Sequence, residues 1–375
     1  MEHSAFRCRS CGRTNGEVVL DLGKQPSWDH MPPVWELLPD PRFPLRMWWC
    51  RSCRLAQLME DSDCVEELRG VEPQAVLDQT ELSLSRMAQM GLVEPGRSVV
   101  EFGSPHGDSW LPRLAARGVL PPEGGRAADL VLDIYGLLHE PDQAGALRER
   151  AALLAPGGTL VLQLLSLATV LRHEQWYDLR HGHYGYWSVP ALDRALHEHG
   201  LGVHRAWRYP LAGGTVLVAA TRSPCPDAAT LDLVADESRA GVADPRLLRG
   251  LQRSADEAAR ELRGWLEAER AAGRSVIGYG AASRAVPRVC HAGLDASLLP
   301  AIADASPAKQ GRRMPGTDIP IVPPEALLAR TPDRVLLFLG DLADEVRHAL
   351  PGVEAAGGRW VVLDPGPRMI ESVPV

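Results

Sequence analysis

The chain predicts an α/β protein made of an N-terminal metal module and two Rossmann-like units. Three observations carry this. Two Cys-x-x-Cys pairs, Cys8–Cys11 and Cys50–Cys53, stand near the N-terminus. Beyond them, short apolar runs alternate with amphipathic stretches, as strands and crossover helices do in a parallel sheet covered on both faces. A second strand–glycine turn–helix unit, Ser275 to Arg284, follows a Pro-rich linker at Ser223-Pro-Cys-Pro226. The boundaries are read at residues 1–65, 66–222 and 223–375, which suits a chain of 375 residues.

The first unit is the metal module. Each Cys-x-x-Cys pair grips an ion from one tight turn, so Cys8, Cys11, Cys50 and Cys53 together offer four thiolates to one tetrahedral zinc. Four thiolates close the coordination sphere, so the ion is structural and activates no water. Two disulfides are the other use of such cysteines, and this spacing suits them poorly. Cys64, Cys225 and Cys290 stand alone and read as buried, inert thiols.

The second unit starts with a helix over Glu81 to Met90. A buried strand, Arg97 to Gly103, runs into a glycine turn. Asp108 to Arg117 reads as a helix, Asp129 to Ile134 as a strand, Leu147 to Leu154 as a helix and Thr159 to Gln163 as a strand. Leu192 to His199 is helical and Gly214 to Ala220 a late strand. In the third unit a long helix spans Leu247 to Ala272. Strands follow at Ser275 to Gly278, Arg334 to Phe338 and Arg359 to Leu363.

Composition narrows the function. A net charge of −8 argues against a nucleic-acid partner. No apolar run reaches the roughly 20 residues of a membrane-spanning helix. Met1-Glu2-His3-Ser4 lacks the layout of a signal peptide, so a cytoplasmic, reducing location is expected.

The order of motifs resembles one family, the C-methyltransferases that act on nucleotide-linked keto-deoxysugars in antibiotic biosynthesis. The likeness rests on the cysteine module, on Val99-Val-Glu-Phe-Gly103, on Leu154-Ala-Pro-Gly-Gly158 and on Tyr177-Asp-Leu-Arg-His-Gly-His183. It is densest near the C-terminus, in Gly278-Tyr-Gly-Ala281, Asp304 to Gly311 and Met314-Pro-Gly-Thr317. It implies structural zinc, S-adenosylmethionine as methyl donor and a small-molecule substrate, a nucleotide sugar. A base removes the proton next to a ketone, and the enolate carbon takes the methyl. Histidine, which titrates near neutral pH, suits that task.

The resemblance assigns His183 as the base, with His181 and Arg180 beside it. Arg180 brings a cation close to the base, which favours neutral imidazole, or holds an enolate oxygen or phosphate. Glu101, Gly103, Gly107 and His139 fall at the methyl-donor site. Gly278, Tyr279, Gly280, Arg284 and Lys309 fall at a diphosphate site, where a glycine turn, a helix start and cations coincide.

The sequence also departs from the family. Gly182 and Arg180 replace an acid and a tyrosine, and Ala212 replaces a histidine before Gly213-Gly214-Thr215. Between Arg117 and Asp129 a strand, a helix and another strand are missing, and Glu123 is the one acid in that gap. The acid that grips the donor's ribose hydroxyls, normally about 20 residues past the first strand, is therefore absent or rebuilt. Without a donor, the same base would support epimerisation, isomerisation or elimination. Without a base, the chain would be a nucleotide-sugar-binding partner.

Overall fold

The computed structural model describes residues 6–28, 30–36, 38–60, 72–104, 107–211, 214–363 and 366–370. Cys64, the Pro105-His106 part of the first glycine turn, and Ala212-Gly213 lie outside the described residues.

The metal module is an antiparallel sheet. β1 (Gly16–Pro26) pairs with β2 (Arg42–Cys50), and β2 with β3 (Ala56–Leu58). Its apolar positions, such as Leu20, Met47, Trp49 and Leu58, are buried.

α1 (Gln74–Gln89) starts a full two turns before the expected Glu81. Pro73 caps it without a side-chain bond and its first turn holds no acidic residue, so no capping signal marked that end. β4 (Val99–Gly103) follows, then the short α2 (Leu111–Ala115), β5 (Ala128–Ile134), α3 (Gln143–Ala152) and β6 (Leu154–Leu165). After α4 (Leu167–Arg172) come β7 (Gly185–Tyr186), α5 (Val189–His197), β8 (Gly202–Tyr209) and β9 (Thr215–Thr221).

The central sheet runs β4-β5-β6-β9-β8. Its first three strands are parallel, whereas β9 is antiparallel to both β6 and β8. The expected all-parallel sheet is thus corrected to a mixed one. β8 escaped notice because its His204, Arg205, Trp207 and Arg208 suit the polar exposure of an edge strand. At the other edge, β4 has a single bridge beyond it among the described residues, Ser98 to Leu120. The Pro121-Pro122-Glu123-Gly124-Gly125 stretch that follows cannot continue a ladder. The sheet is short on the side where the sequence is short.

A buried ion pair holds the β5–α3 connection. Arg150 Nε meets Asp133 Oδ2 at 2.6 Å, and neither side chain reaches solvent. The other carboxylate oxygen accepts the Leu137 amide at 3.0 Å, which shapes the turn that carries Tyr135 and His139. Burial pushes the Asp133 carboxyl above the usual range, against the pull of Arg150. Asp133→Asn is expected to cost about 3–5 kcal/mol, because Arg150 stays buried with only the partly exposed Glu140 and Glu149 as counter-charges. Urea unfolding measures it, and a loss under about 1 kcal/mol would mean that those two carboxylates suffice.

In the last third, α6 (Ala228–Arg239), α7 (Pro245–Leu248) and α8 (Gly250–Ala271) precede the third sheet. The expected single helix from Leu247 breaks at Arg249. β10 (Val276–Tyr279), α9 (Ala285–His291), β11 (Ile302–Ala303), β12 (Ile321–Val322), β13 (Arg334–Leu337), β14 (Arg359–Leu363) and β15 (Pro367–Met369) follow. Their order is β12-β11-β10-β13-β14-β15, parallel except for β15.

One pairing ties the units together. β7 adds to β3 of the metal module, with Ala56 opposite Tyr186 and Gln57 opposite Gly185. The histidine-rich segment just before β7 is therefore anchored to the module. Among the described residues, no helix is long and apolar enough to cross a membrane.

Candidate active site and metal centre

Two backbone turns build the metal centre. Gly12 N donates to Cys8 O at 2.9 Å, and Arg54 N to Cys50 O at 3.0 Å. The ligand atoms of Cys8, Cys11, Cys50 and Cys53 all lie within 4.8 Å of one another. Cys8 and Cys53 sulfurs are 3.4 Å apart and those of Cys11 and Cys50 3.6 Å. Sulfurs about 2.3 Å from a tetrahedral zinc stand about 3.8 Å apart, so the set fits the ion with little movement. Hydrogen bonds from Cys53 and Cys8 hold the Cys50 thiol low, and the bond to Cys50 pushes Cys8 up to about 11. A divalent cation removes the need for shared protons. Of the other cysteines, Cys225 is exposed and Cys290 half-buried, so the expectation of burial fails for Cys225.

A cleft of about 360 Å³ opens where the three sheets meet. The metal module contributes Trp28. The central sheet contributes Ser104, Gly107, Tyr135, His139 and Gln163, and the last unit Ser283, Arg284 and Asp341. His183 and Arg180 face it from the segment before β7. His183 is 4% exposed. Its ring meets the His139 ring edge-on at 4.8 Å and the Trp28 ring at 5.9 Å. His139 Nε2 lies 3.2 Å from Ser104 Oγ at the end of β4. Arg180 Nη1 reaches Ser283 Oγ, and its guanidinium covers the Trp28 ring.

His181 does not reach this cleft. Its Nε2 lies 3.1 Å from Pro44 O, and its ring meets Phe43 in the metal module. Residues two apart in an extended segment would face the same way, but the chain turns at Gly182, whose φ is +77°, and His181 and His183 part company there.

The expected donor residues divide likewise. Gly107 and His139 line the cleft. Glu101 is instead spent on the start of α2, accepting from Ser109 Oγ and, at 2.7 Å, from the Trp110 amide. Gly103 bridges to the Tyr135 backbone. The diphosphate candidates separate too. A Cβ on Gly278 would meet Ile302 at 2.7 Å, and Tyr279 packs on Trp360, so both serve the core. Gly280 takes φ +91° to turn the chain. Lys309 donates to Ala281 O at 3.0 Å and pairs with Asp304 at 3.6 Å. Of that group, Arg284 alone lines the cleft, and it is already paired with Asp178 at 3.0 Å and Asp341 at 3.7 Å.

Several lining residues had no sequence signal. Tyr135 holds a left-handed backbone, φ +58°, unusual outside glycine and frequent at functional sites. Gln163 Nε2 donates to its hydroxyl at 2.9 Å, and burial pushes the phenol up to about 12, so it stays protonated. Gln79 Oε1 and Gln163 Oε1, both on the cleft, have no hydrogen-bond partner among the described residues. They await donors. Glu72 and Asp108 line the same end. Burial, then the charge of Asp108, pushes the Glu72 carboxyl up. Two carboxylates and two buried, unpartnered acceptors on one cleft suit a cationic ligand rich in N–H and O–H groups, such as S-adenosylmethionine. These two acids stand just before α1 and after the β4 turn.

Comparison with known proteins adds the following. A C-methyltransferase C-terminal domain model matches residues 210–365, a methyltransferase domain model residues 78–206 and a zinc binding domain model residues 8–65. The C-methyltransferase NovU of Streptomyces niveus is 27% identical, with 97% of each chain covered. Magnesium protoporphyrin IX methyltransferase of Synechocystis PCC 6803 aligns over 40% of this chain and 84% of its own, at 8% identity and a TM-score of 0.30. The CcbJ methyltransferase of Streptomyces caelestis aligns over 41% and 94%, at 17% and 0.28. Scores that low carry no argument about the site.

Proposed function

We propose that the chain is a C-methyltransferase that joins a zinc-binding module, a methyltransferase domain and a C-methyltransferase C-terminal domain, and that it methylates the carbon beside the ketone of a nucleotide-linked keto-sugar. One observation carries this reading. His183, the candidate base, opens onto the same cleft as Ser104 and Gly107 at the end of β4, where a methyl donor binds in such a sheet.

His183 takes the proton from the carbon next to the ketone. The protonated Tyr135 hydroxyl and the Arg180 guanidinium are the groups on the cleft that stabilise the oxygen of the resulting enolate. His139, fixed by Ser104, keeps the His183 ring in place edge-on. Trp28 and Leu138 keep water from the carbanion. Glu72, Asp108, Ser104 and Gly107 would hold S-adenosylmethionine, which supplies an electrophilic methyl group when bound.

The test has two parts. Calorimetric titration of the zinc-loaded protein with S-adenosylmethionine and S-adenosylhomocysteine is expected to give saturable binding. A nucleoside-diphosphate 4-keto-6-deoxy sugar in deuterium oxide is expected to exchange its α-proton without donor present. Exchange without donor binding would replace methyl transfer by epimerisation, isomerisation or elimination on the same base. Neither would sink both readings.

A further inference from the structure

A second, larger cleft of about 630 Å³ lies beside the first, and its wall is built from arginines 172, 208, 284 and 288. Arg284 and Asp341 belong to both clefts, so the two share a wall. Three of the four guanidiniums have carboxylate partners. Arg284 has Asp178 and Asp341. Arg172 and Arg208 share Asp236, at 2.6 and 2.9 Å.

Arg288 differs. It is 7% exposed, and among the described residues no carboxylate pairs with it. Its guanidinium lies on the Tyr177 ring at 3.4 Å, and Nη1 donates to Phe338 O at 3.1 Å. Burial pushes its pKa down more than Asp178 raises it, whereas Asp178 and Asp341 together outweigh burial at Arg284 and hold that one up. A buried cation that Asp178 compensates only in part is costly unless something brings further charge. A second group points the same way. Tyr209 lines this cleft, and its buried hydroxyl has no hydrogen-bond partner among the described residues. Guanidiniums in a half-enclosed wall match the spaced oxygens of a diphosphate.

We propose that this arginine-walled cleft binds the diphosphate of the substrate, with Arg288 as the anchor and Arg172 and Arg208 closing from the rim. The ketone end then passes the wall shared at Arg284 and Asp341 to reach His183. This assignment rests on the reading of the substrate as a nucleotide-linked ketone. It also moves the diphosphate from the expected Gly278–Gly280 turn to the middle of α9, four residues past Arg284.

The probe is inorganic pyrophosphate, titrated calorimetrically into the full-length, zinc-loaded protein, with inorganic phosphate as comparison. Saturable pyrophosphate binding, tighter than phosphate and weakening with salt, is expected. Arg288→Gln should weaken it about tenfold or more. Because a buried arginine variant can fail to fold, Arg172→Gln and Arg208→Gln provide the independent check. Both side chains are about one-third exposed, and each change should weaken binding about two- to fivefold. No saturation at millimolar pyrophosphate, or unchanged binding in both rim variants, would overturn the assignment. The α-proton exchange assay separates the two claims. Exchange without pyrophosphate binding leaves the methylation reading and removes this subsite. Pyrophosphate binding without exchange does the reverse.

Discussion

Replacing His183 with Asn is expected to lower turnover by roughly 10²–10⁴-fold, the usual contribution of a positioned general base. Asn keeps the bulk between His139 and Trp28 but cannot take a proton at neutral pH. Both α-proton exchange and methylation should fall together, while S-adenosylmethionine binding stays, because the donor-facing carboxylates are untouched. Exchange at the rate of the unmodified protein would remove His183 from the mechanism. His181→Asn makes a sharp contrast. His181 bonds to Pro44 O in the metal module, so its loss should lower thermal stability rather than the exchange rate of folded protein.

Removing zinc should have an effect as large, through structure rather than chemistry. Binding of such an ion is worth on the order of 10–16 kcal/mol in small zinc domains, and that energy is folding energy. Here it reaches the cleft by two routes. β7 pairs with β3, two residues after His183. Trp28 lines the cleft and donates from Nε1 to His181 O at 2.7 Å. Chelation, or Cys50→Ser, is therefore expected to unfold the module and abolish exchange, and added zinc should restore the chelated protein. The measurements are zinc content, circular dichroism and exchange on the same sample. A zinc-free protein that exchanges at full rate would show that the module is a separate appendage.

Much of this was legible in the chain because it is local. A Cys-x-x-Cys turn sets two sulfurs by backbone geometry alone, so the zinc ligands needed no tertiary knowledge. The apolar run Asp129 to Ile134 makes a buried strand, whereas Val99 to Gly103, expected to be buried, forms a strand that its edge position leaves only half-buried. The gap between Arg117 and Asp129 leaves too few residues for two strands and a helix, and β4 accordingly lies at the sheet edge. His183 was identifiable from its motif, although nothing in that motif distinguishes its direction from that of His181.

Tertiary structure decided which of these residues share a site. Glu101 and Glu72 are both acids near β4. The first is consumed by the start of α2, and the second lines the cleft. Tyr135 owes its place to a left-handed backbone that no residue preference foretells. Arg284 reads as a free cation until Asp178 and Asp341 arrive from other segments. Arg288 reads as an ordinary helix residue until folding buries it beside Tyr177 with no ion-pair partner among the described residues. The sequence by itself determined the zinc ligands, the strands β4, β5, β6, β9, β10, β13 and β14 and the shortened sheet, since short-range geometry and apolar patterning dictate them. The two clefts, the orphan acceptors of the first and the under-compensated Arg288 of the second depend on groups distant in the chain, and only packing the three sheets together brings them within reach.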